Sequence, residues 1–490
     1  MKLRKFLLSA AAAVIAVTGI APDASAVAPY EAYTYNYYED SVPIPAPFLP
    51  ERAITGIGLG IGSFKDPNDI FVTNDGFLYI LDSGNGRIVS LDSNWRVLRI
   101  IEGFQHAGAA DKFANPGGIF VTDEEKMIYV ADTDNKRIVV LTHEGELIKI
   151  VENPQSDILP AQFQFLPSKV TVDTAGRIFV VARGVFEGLM QFDDDGTFMG
   201  YVGTINVTQS LADRVWRRLA TRAQREQMQL YIPTEFSNVD IDEKGFIYST
   251  NLDLNTQKPI KRLNPSGEDV IKRFGYYPNM GDIRYRIFGN NSGPSKLVDI
   301  KLLGGGMYIA LDSLRGRLFA YNDEGELLYA FGGRGTQLGV FNTPVAVERM
   351  GDRLLVLDRG KNNIVVYEPT AFGAAVHEAT RLHYDGNDDE AVELWKEVIR
   401  INTNYDIAYI GIGKSLLIEK ENKQAMEYFQ LGMQRKYYSV AFKRYRREVM
   451  QEHFSAFMSG AIGLIVLLVS LNMIKNRRLR RGGRRETGFY

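Results

Sequence analysis

The chain has 490 residues, enough for two or three domains, with an ordinary apolar share and a formal net charge of −2. That balance points to no polyanionic partner. It contains no cysteine, which excludes disulfides, thiolate metal sites and a cysteine nucleophile.

Residues 1–26 have the pattern of a secretory signal peptide. Lys2, Arg4 and Lys5 precede an apolar run from Phe6 to Ile20, and Ala24-Ser25-Ala26 is the small-residue cleavage pattern. The alternative is a retained N-terminal anchor. An exported chain without disulfides points to a bacterial source. Residues 27–50 carry Tyr30, Tyr33, Tyr35, Tyr37 and Tyr38, then Pro43, Pro45, Pro47 and Pro50. The prolines favour an extended, semi-rigid arm. Its tyrosines are expected to pack on the outside of the domain that follows, the alternative being a recognition strip.

Residues 51–370 contain six copies of one pattern. The clearest read P-N-D-I-F-V-T-N-D-G-F-L-Y-I-L-D-S-G-N-G-R-I-V-S-L from Pro67 and P-G-G-I-F-V-T-D-E-E-K-M-I-Y-V-A-D-T-D-N-K-R-I-V-V-L from Pro116. A third clear copy opens P-S-K-L-V-D-I at Pro294, and weaker copies start at Pro167, near Phe236 and at Pro344. Each holds short apolar runs split by D-G, E-G or S-G turns, which is a strand meander. A regular meander of about 40 residues predicts a propeller blade.

The Pro-x-x-[IV]-x-V opening and the Y-[IV]-x-x-D-[ST]-x-N-x-R-[IV] centre resemble the NHL family of β-propellers. The resemblance covers about two thirds of the chain by the repeat count. Copy three has Ala182-Arg183 where the central Asp is expected, copy four has Thr250-Asn251, and copy six keeps Asp358 without the Arg. Copy six also ends after its third strand, Ile364-Val365-Val366-Tyr367. The segment from Ala53 looks like the joint between blades five and six, so an N-terminal strand is expected to complete the last blade. That closure removes an open edge and predicts six blades.

The family resemblance places ligands near the axis, on the face where the inner strands begin. The residues entering those strands include Asn68, Asp69, Lys169, Asn238 and Lys296, a mixed and slightly basic ring. Two insertions belong to the same face. Val207 to Tyr231 reads as a helix with Leu211, Val215, Leu219 and Ala223 at helical spacing and Arg218 and Arg222 on its other sides. Tyr276 to Gly293 holds Arg284 and Arg286. Long insertions in short-loop folds are often functional. Together these cations suggest a face that attracts anions; the alternative is a solvated helix face paired with acidic neighbours.

From residue 371 to 452 the period becomes helical. Ala379 and Gly413, Ala391 and Ala425, and Trp395 and Phe429 are each 34 residues apart. That stretch resembles tetratricopeptide hairpins, with small residues where helices touch and aromatics between them. The helix from Ser439 to about Glu452 is expected to cap them. A docking groove and a rigid spacer are equal readings. Residues 453–474 are apolar and uncharged over the length of a transmembrane helix, and 475–490 form a basic tail expected on the cytoplasmic side.

Similar six-bladed propellers include lactonases and amidating lyases. The lyase family's zinc needs several histidines, and the propeller holds only His106 and His143. Two ammonium groups at Lys169 and Lys296 would oppose a hard-cation site of the lactonase kind. Asp82, Asp132, Asp312 and Asp358 recur at one blade position, three of them followed by Arg87, Arg137 or Arg317. Recurrence marks a structural turn bond, since a catalytic group is normally unique. No catalytic residue, metal ligand or cofactor is therefore assigned. The expected role is a membrane-anchored, extracytoplasmic interaction scaffold or ligand-recognition protein, accessory to a transporter or cell-envelope complex. Its partners would be membrane or envelope proteins, with an anionic ligand at the ring and no nucleic acid. The alternatives are a propeller hydrolase or lyase, and an envelope sensor of an anionic glycan or cell-wall polymer.

Overall fold

The computed structural model describes residues 28–160, 162–203, 235–252 and 258–482. The expected signal peptide and the segment bearing Arg218 and Arg222 lie outside these residues. Within them the chain is mainly β: a six-blade propeller, then helices, the last of them long and apolar.

Blades 1, 2 and 3 are four-stranded antiparallel sheets with inner strands Asp69–Val72, Gly118–Val121 and Pro167–Val172. Blades 5 and 6 begin at Leu297–Gly304 and Pro344–Met350. The second strands, such as Leu78–Asp82, Ile128–Asp132 and Met307–Asp312, are buried along their whole length. Neighbouring blades cover both of their faces, so their sequences run continuously apolar rather than alternating. The core accordingly lies between blades: Leu81 and Ile88 of blade 1 cluster with Ile119 and Val130 of blade 2.

The ring closes as the sequence implied. Phe48–Thr55 pairs antiparallel with Asn363–Pro369, Ile54 opposite Ile364 and Ala53 opposite Val365, and supplies the outer strand of blade 6. The tyrosine-rich arm lies along the outside of the propeller. Its strands Tyr33–Tyr35 and Ser41–Pro43 extend blade 5 to six strands, Tyr33 opposite Ala330. Asp282 fixes the arm: it accepts bonds from the hydroxyls of Tyr33 and Tyr35 and pairs with Arg317 at 2.6 Å.

Among the described residues blade 4 has three strands, Phe236–Ile241, Ile247–Asn251 and Ile260–Leu263. Beyond the last of them, Val270 N bonds Arg262 O at 2.7 Å, but Arg262 N donates to the Asp269 carboxylate at 3.2 Å. A side chain takes the place of a ladder carbonyl, and the chain leaves to run along blade 5.

The chain divides into two compact units after Asn404. The first includes the propeller and helices α1 (Ala371–Asp385) and α2 (Asp388–Ile401). Thr370 caps α1, its hydroxyl accepting from Gly373 N at 3.1 Å, and Gly386 ends it in the left-handed conformation. A Cβ on Gly373 would lie 2.0 Å from Pro47 O, so only glycine lets α1 lie this close to the closing segment. His377 bonds the Tyr329 hydroxyl and packs on Phe48. Burial pushes its imidazole down to about 4 and keeps it neutral. This docking explains why the compact unit continues past the propeller.

The second unit holds α3 (Asp406–Ile418), α4 (Asn422–Leu431), α5 (Arg435–Glu452) and α6 (Phe454–Gly482). Gly413 of α3 lies against the Phe429 ring of α4, and α5 packs on α4. Phe454–Arg478, within α6, is 25 residues long and apolar enough to cross a membrane, with none of its most apolar stretch buried.

Candidate functional site

Register assigns the axial residues. In blade 1 the pair Asp69↔Leu81 stands one step before the recurring Asp82. The same step gives Gly118, Lys169, Asn238, Asp299 and Ala346 in blades 2 to 6. Alternate residues of a strand share a face, so a second layer follows two residues on: Phe71, Phe120, Thr171, Asp240, Lys301 and Glu348. Side chains of both layers line a pocket at the axis, about 30 Å³ in volume, room for a few water-sized groups.

The first layer contains a cross-blade ion pair. Lys169 Nζ lies 2.6 Å from Asp69 Oδ1, both largely buried. The other oxygen of Asp69 accepts Ile119 N of blade 2 at 2.9 Å. Asp299 accepts Val347 N of blade 6 at 2.5 Å and its neighbour Ile300 N at 2.9 Å. In the second layer Lys301 Nζ is 3.0 Å from Glu348 and 3.7 Å from Asp240, and it stands over the Phe71 ring at 5.1 Å. Asp240 in turn accepts Leu302 N of blade 5 at 3.1 Å. Three carboxylates thus tie one blade to the backbone of the next around the axis.

Burial pushes the Asp299 carboxyl up to about 7, with the Lys169 ammonium opposing and the charge of Asp69 adding. It pushes Glu348 up to about 8, opposed by Lys301. Burial alone would lower the Lys301 ammonium, but Asp240 and Glu348 outweigh it and hold its proton more firmly. The axis is an acid-rich, self-neutralising cluster.

Of the residues expected from sequence, the structure brings together Asp69, Lys169 and Asn238. Asn68 is turned away, donating to Pro116 O at 3.2 Å and accepting from Arg359 at 2.9 Å. Lys296 is exposed and outside the ring. Pro294 stands five residues before the axial Asp299, whereas Pro67 and Pro167 stand two before theirs, so the proline misplaces blade 5 by three residues. An acidic residue replaces the expected second ammonium, and the remaining one, Lys169, is paired. The first axial layer therefore carries one ammonium, Lys169, and not two. Arg284 reaches Asp40 at 3.1 Å and Glu39 at 3.7 Å on the arm, and it and the exposed Arg286 do not line the pocket. Asp240, Asp299, Lys301 and Glu348 escaped the sequence reading. Counting back 13 residues from Asp312, the spacing of Asp69 from Asp82, would have reached Asp299.

The recurring aspartates are structural. Asp132 accepts Ala114 N at 2.7 Å, Asn135 at 2.9 Å and Arg137 at 2.9 Å, and Asp82 repeats the set with Lys65 N, Asn85 and Arg87. Blade 5 departs from it: Arg317 turns to Asp282, and Arg315 approaches Asp312 at 3.5 Å. His143 bonds the Tyr79 hydroxyl at 2.8 Å from a turn between third and fourth strands. Among the described residues no three His, Asp or Glu side chains converge as metal ligands would.

No protein-family model matches the chain, and no curated protein does. Among solved structures it is similar to virginiamycin B lyase from Staphylococcus aureus, at 13% identity over 65% of this chain and 87% of that one, TM-score 0.38. It is similar to hydrazine synthase from Kuenenia stuttgartiensis, at 12% identity over 63% and 97%, TM-score 0.39. A protein of unknown function from Bacteroides thetaiotaomicron gives 12% identity over 69% and 76%, TM-score 0.42. At these values the likenesses carry no argument about activity. The propeller assignment rests on the strand pairing.

Proposed function

We propose that this chain is a membrane-anchored, extracytoplasmic scaffold whose NHL-like propeller and tetratricopeptide-like helices dock a membrane or envelope complex. The observation that carries the reading is α6. Leu464, Leu467 and Leu471 are each more than half exposed in the folded chain, and so are their neighbours along the stretch. An apolar surface of that length needs a bilayer to cover it. The signal-peptide pattern at 1–26 supports an orientation with the propeller outside and the basic tail inside.

The axial cluster favours recognition over catalysis. Its carboxylates are engaged by backbone N–H groups of the next blade or by lysines, and its pocket is small for a substrate. In-cell crosslinking of the full chain, followed by membrane purification and mass spectrometry, tests the reading. A defined set of membrane proteins is expected. Recovery of the chain alone would contradict it and favour a small-ligand or glycan role for the propeller.

A further inference from the structure

The helix before the span carries charge that the fold does not use. α5 has six basic residues and two acidic ones. One side is packed: Ala441 is fully buried, Tyr437 stacks on Phe429, Arg444 donates to Leu417 O at 3.1 Å and Glu448 accepts from Asn422 at 2.5 Å. Positions 437, 441, 444 and 448 are at helical spacing and define the inner face. Lys443, Arg446, Arg447 and Met450 lie off it and are exposed, Met450 at 63%. Those three cations have no ion-pair partner among the described residues.

One residue, His453, separates α5 from α6, and the helical bonds pass through it: His453 N to Val449 O at 3.1 Å and Phe457 N to His453 O at 2.9 Å. At about 1.5 Å rise per residue, Arg446 and Arg447 stand roughly 10–12 Å before Phe454, where α6 begins, and Met450 about 6 Å before it. With α6 in a bilayer, that depth places the guanidinium groups at the headgroups and Met450 near the acyl boundary.

We propose that Lys443, Arg446 and Arg447 form a collar that binds anionic lipid headgroups where α6 enters the membrane. The proposal rests on α6 being a span. A lipid explains the apolar Met450 beside the cations and their position next to the apolar helix. A soluble polyanion would use the charges alone.

The test uses the full chain purified in detergent and exposed to mixed micelles of phosphatidylglycerol and phosphatidylcholine, with retained lipid measured by native mass spectrometry. The native chain is expected to prefer phosphatidylglycerol by roughly tenfold or more. With the basic residues of the tail replaced by glutamine in every chain compared, Lys443→Gln/Arg446→Gln/Arg447→Gln should lose most of that preference and Arg446→Lys/Arg447→Lys should keep it, which separates charge from folding and the collar from the tail. Equal retention of both lipids by the native chain, or an undiminished preference in the glutamine variant, overturns the collar. Alkaline extraction of the cell membranes from which the chain is purified distinguishes the two claims. Native chain released into the supernatant sinks the span and the collar with it. Chain that stays in the membrane without a lipid preference sinks the collar alone.

Discussion

Lys169 of blade 3 reaches over blade 2 to Asp69 of blade 1, its ammonium 2.6 Å from the carboxylate. The reach is open because the residue between them is Gly118. A Cβ there would meet Ser168 O at 2.7 Å, Lys169 Cα at 2.9 Å and Lys169 Cδ at 3.2 Å. Gly118→Val is expected to cost about 1–3 kcal/mol by overpacking. Lys169→Met should cost more, about 3–5 kcal/mol, because Asp69 would be left buried and unpaired. Lys169→Met/Asp69→Asn, which keeps an acceptor for Ile119 N, should recover much of that loss. A double-mutant cycle by urea denaturation measures the coupling; a value near zero would show that the pair does not join the blades.

In an unfolded chain the Asp299 and Glu348 carboxyls titrate near 4, about the ordinary value. Folded, they keep their protons up to about 7 and about 8. Between those limits the native state binds more protons than the unfolded state, so their contribution to stability falls as pH rises from ~4 to ~8. Asp299→Asn and Glu348→Gln should each flatten that decline relative to the native chain. Parallel pH profiles for native and variant proteins would refute the assignment.

Closure of the ring depends on Phe48, which is fully buried and stacks on Phe331 at 5.6 Å while also meeting His377 of α1. Phe48→Ala is expected to cost about 3–5 kcal/mol. Hydrogen exchange should show the loss first in Asn363–Pro369, the strand that the closing segment covers. Faster exchange confined to blade 2 or 3 would argue that the seam lies elsewhere.

The recurring aspartates predict uniform, structural losses. Asp132→Ala removes the acceptor of three hydrogen bonds, one of them from a guanidinium. A loss of about 3–5 kcal/mol is expected, with partner recovery in membrane crosslinking unchanged under conditions where the variant remains folded. A variant of native stability that loses its partners would instead make Asp132 a recognition residue.

Much of the architecture was legible because each blade repeats the same burial problem. The continuous apolar second strands, the D-G turns and the missing outer strand of copy six together specified six blades and the closing segment. The axis was harder to read. Asp69 and Lys169 are 100 residues apart in sequence, and nothing local announces that they meet. Blade 5 was misaligned because Pro294 resembles the blade-opening proline, while strand pairing follows Leu311 and Asp312. The second layer needed only the period of two, applied from the correct register. Arg317 was assigned by repetition to Asp312, but the arm brings Tyr33 and Tyr35 onto Asp282, and that buried carboxylate draws the guanidinium away.

The absence of cysteine makes one measurement especially direct. Ser93→Cys, in an exposed turn of blade 1, and Thr487→Cys, in the basic tail, give two chains with a single thiol each. Intact cells would be treated with a membrane-impermeant maleimide before and after permeabilisation. The Ser93→Cys variant is expected to be labelled in intact cells and the Thr487→Cys variant only after permeabilisation. The reverse pattern, or protection of both thiols until the cells are opened, would contradict an extracytoplasmic propeller anchored by α6.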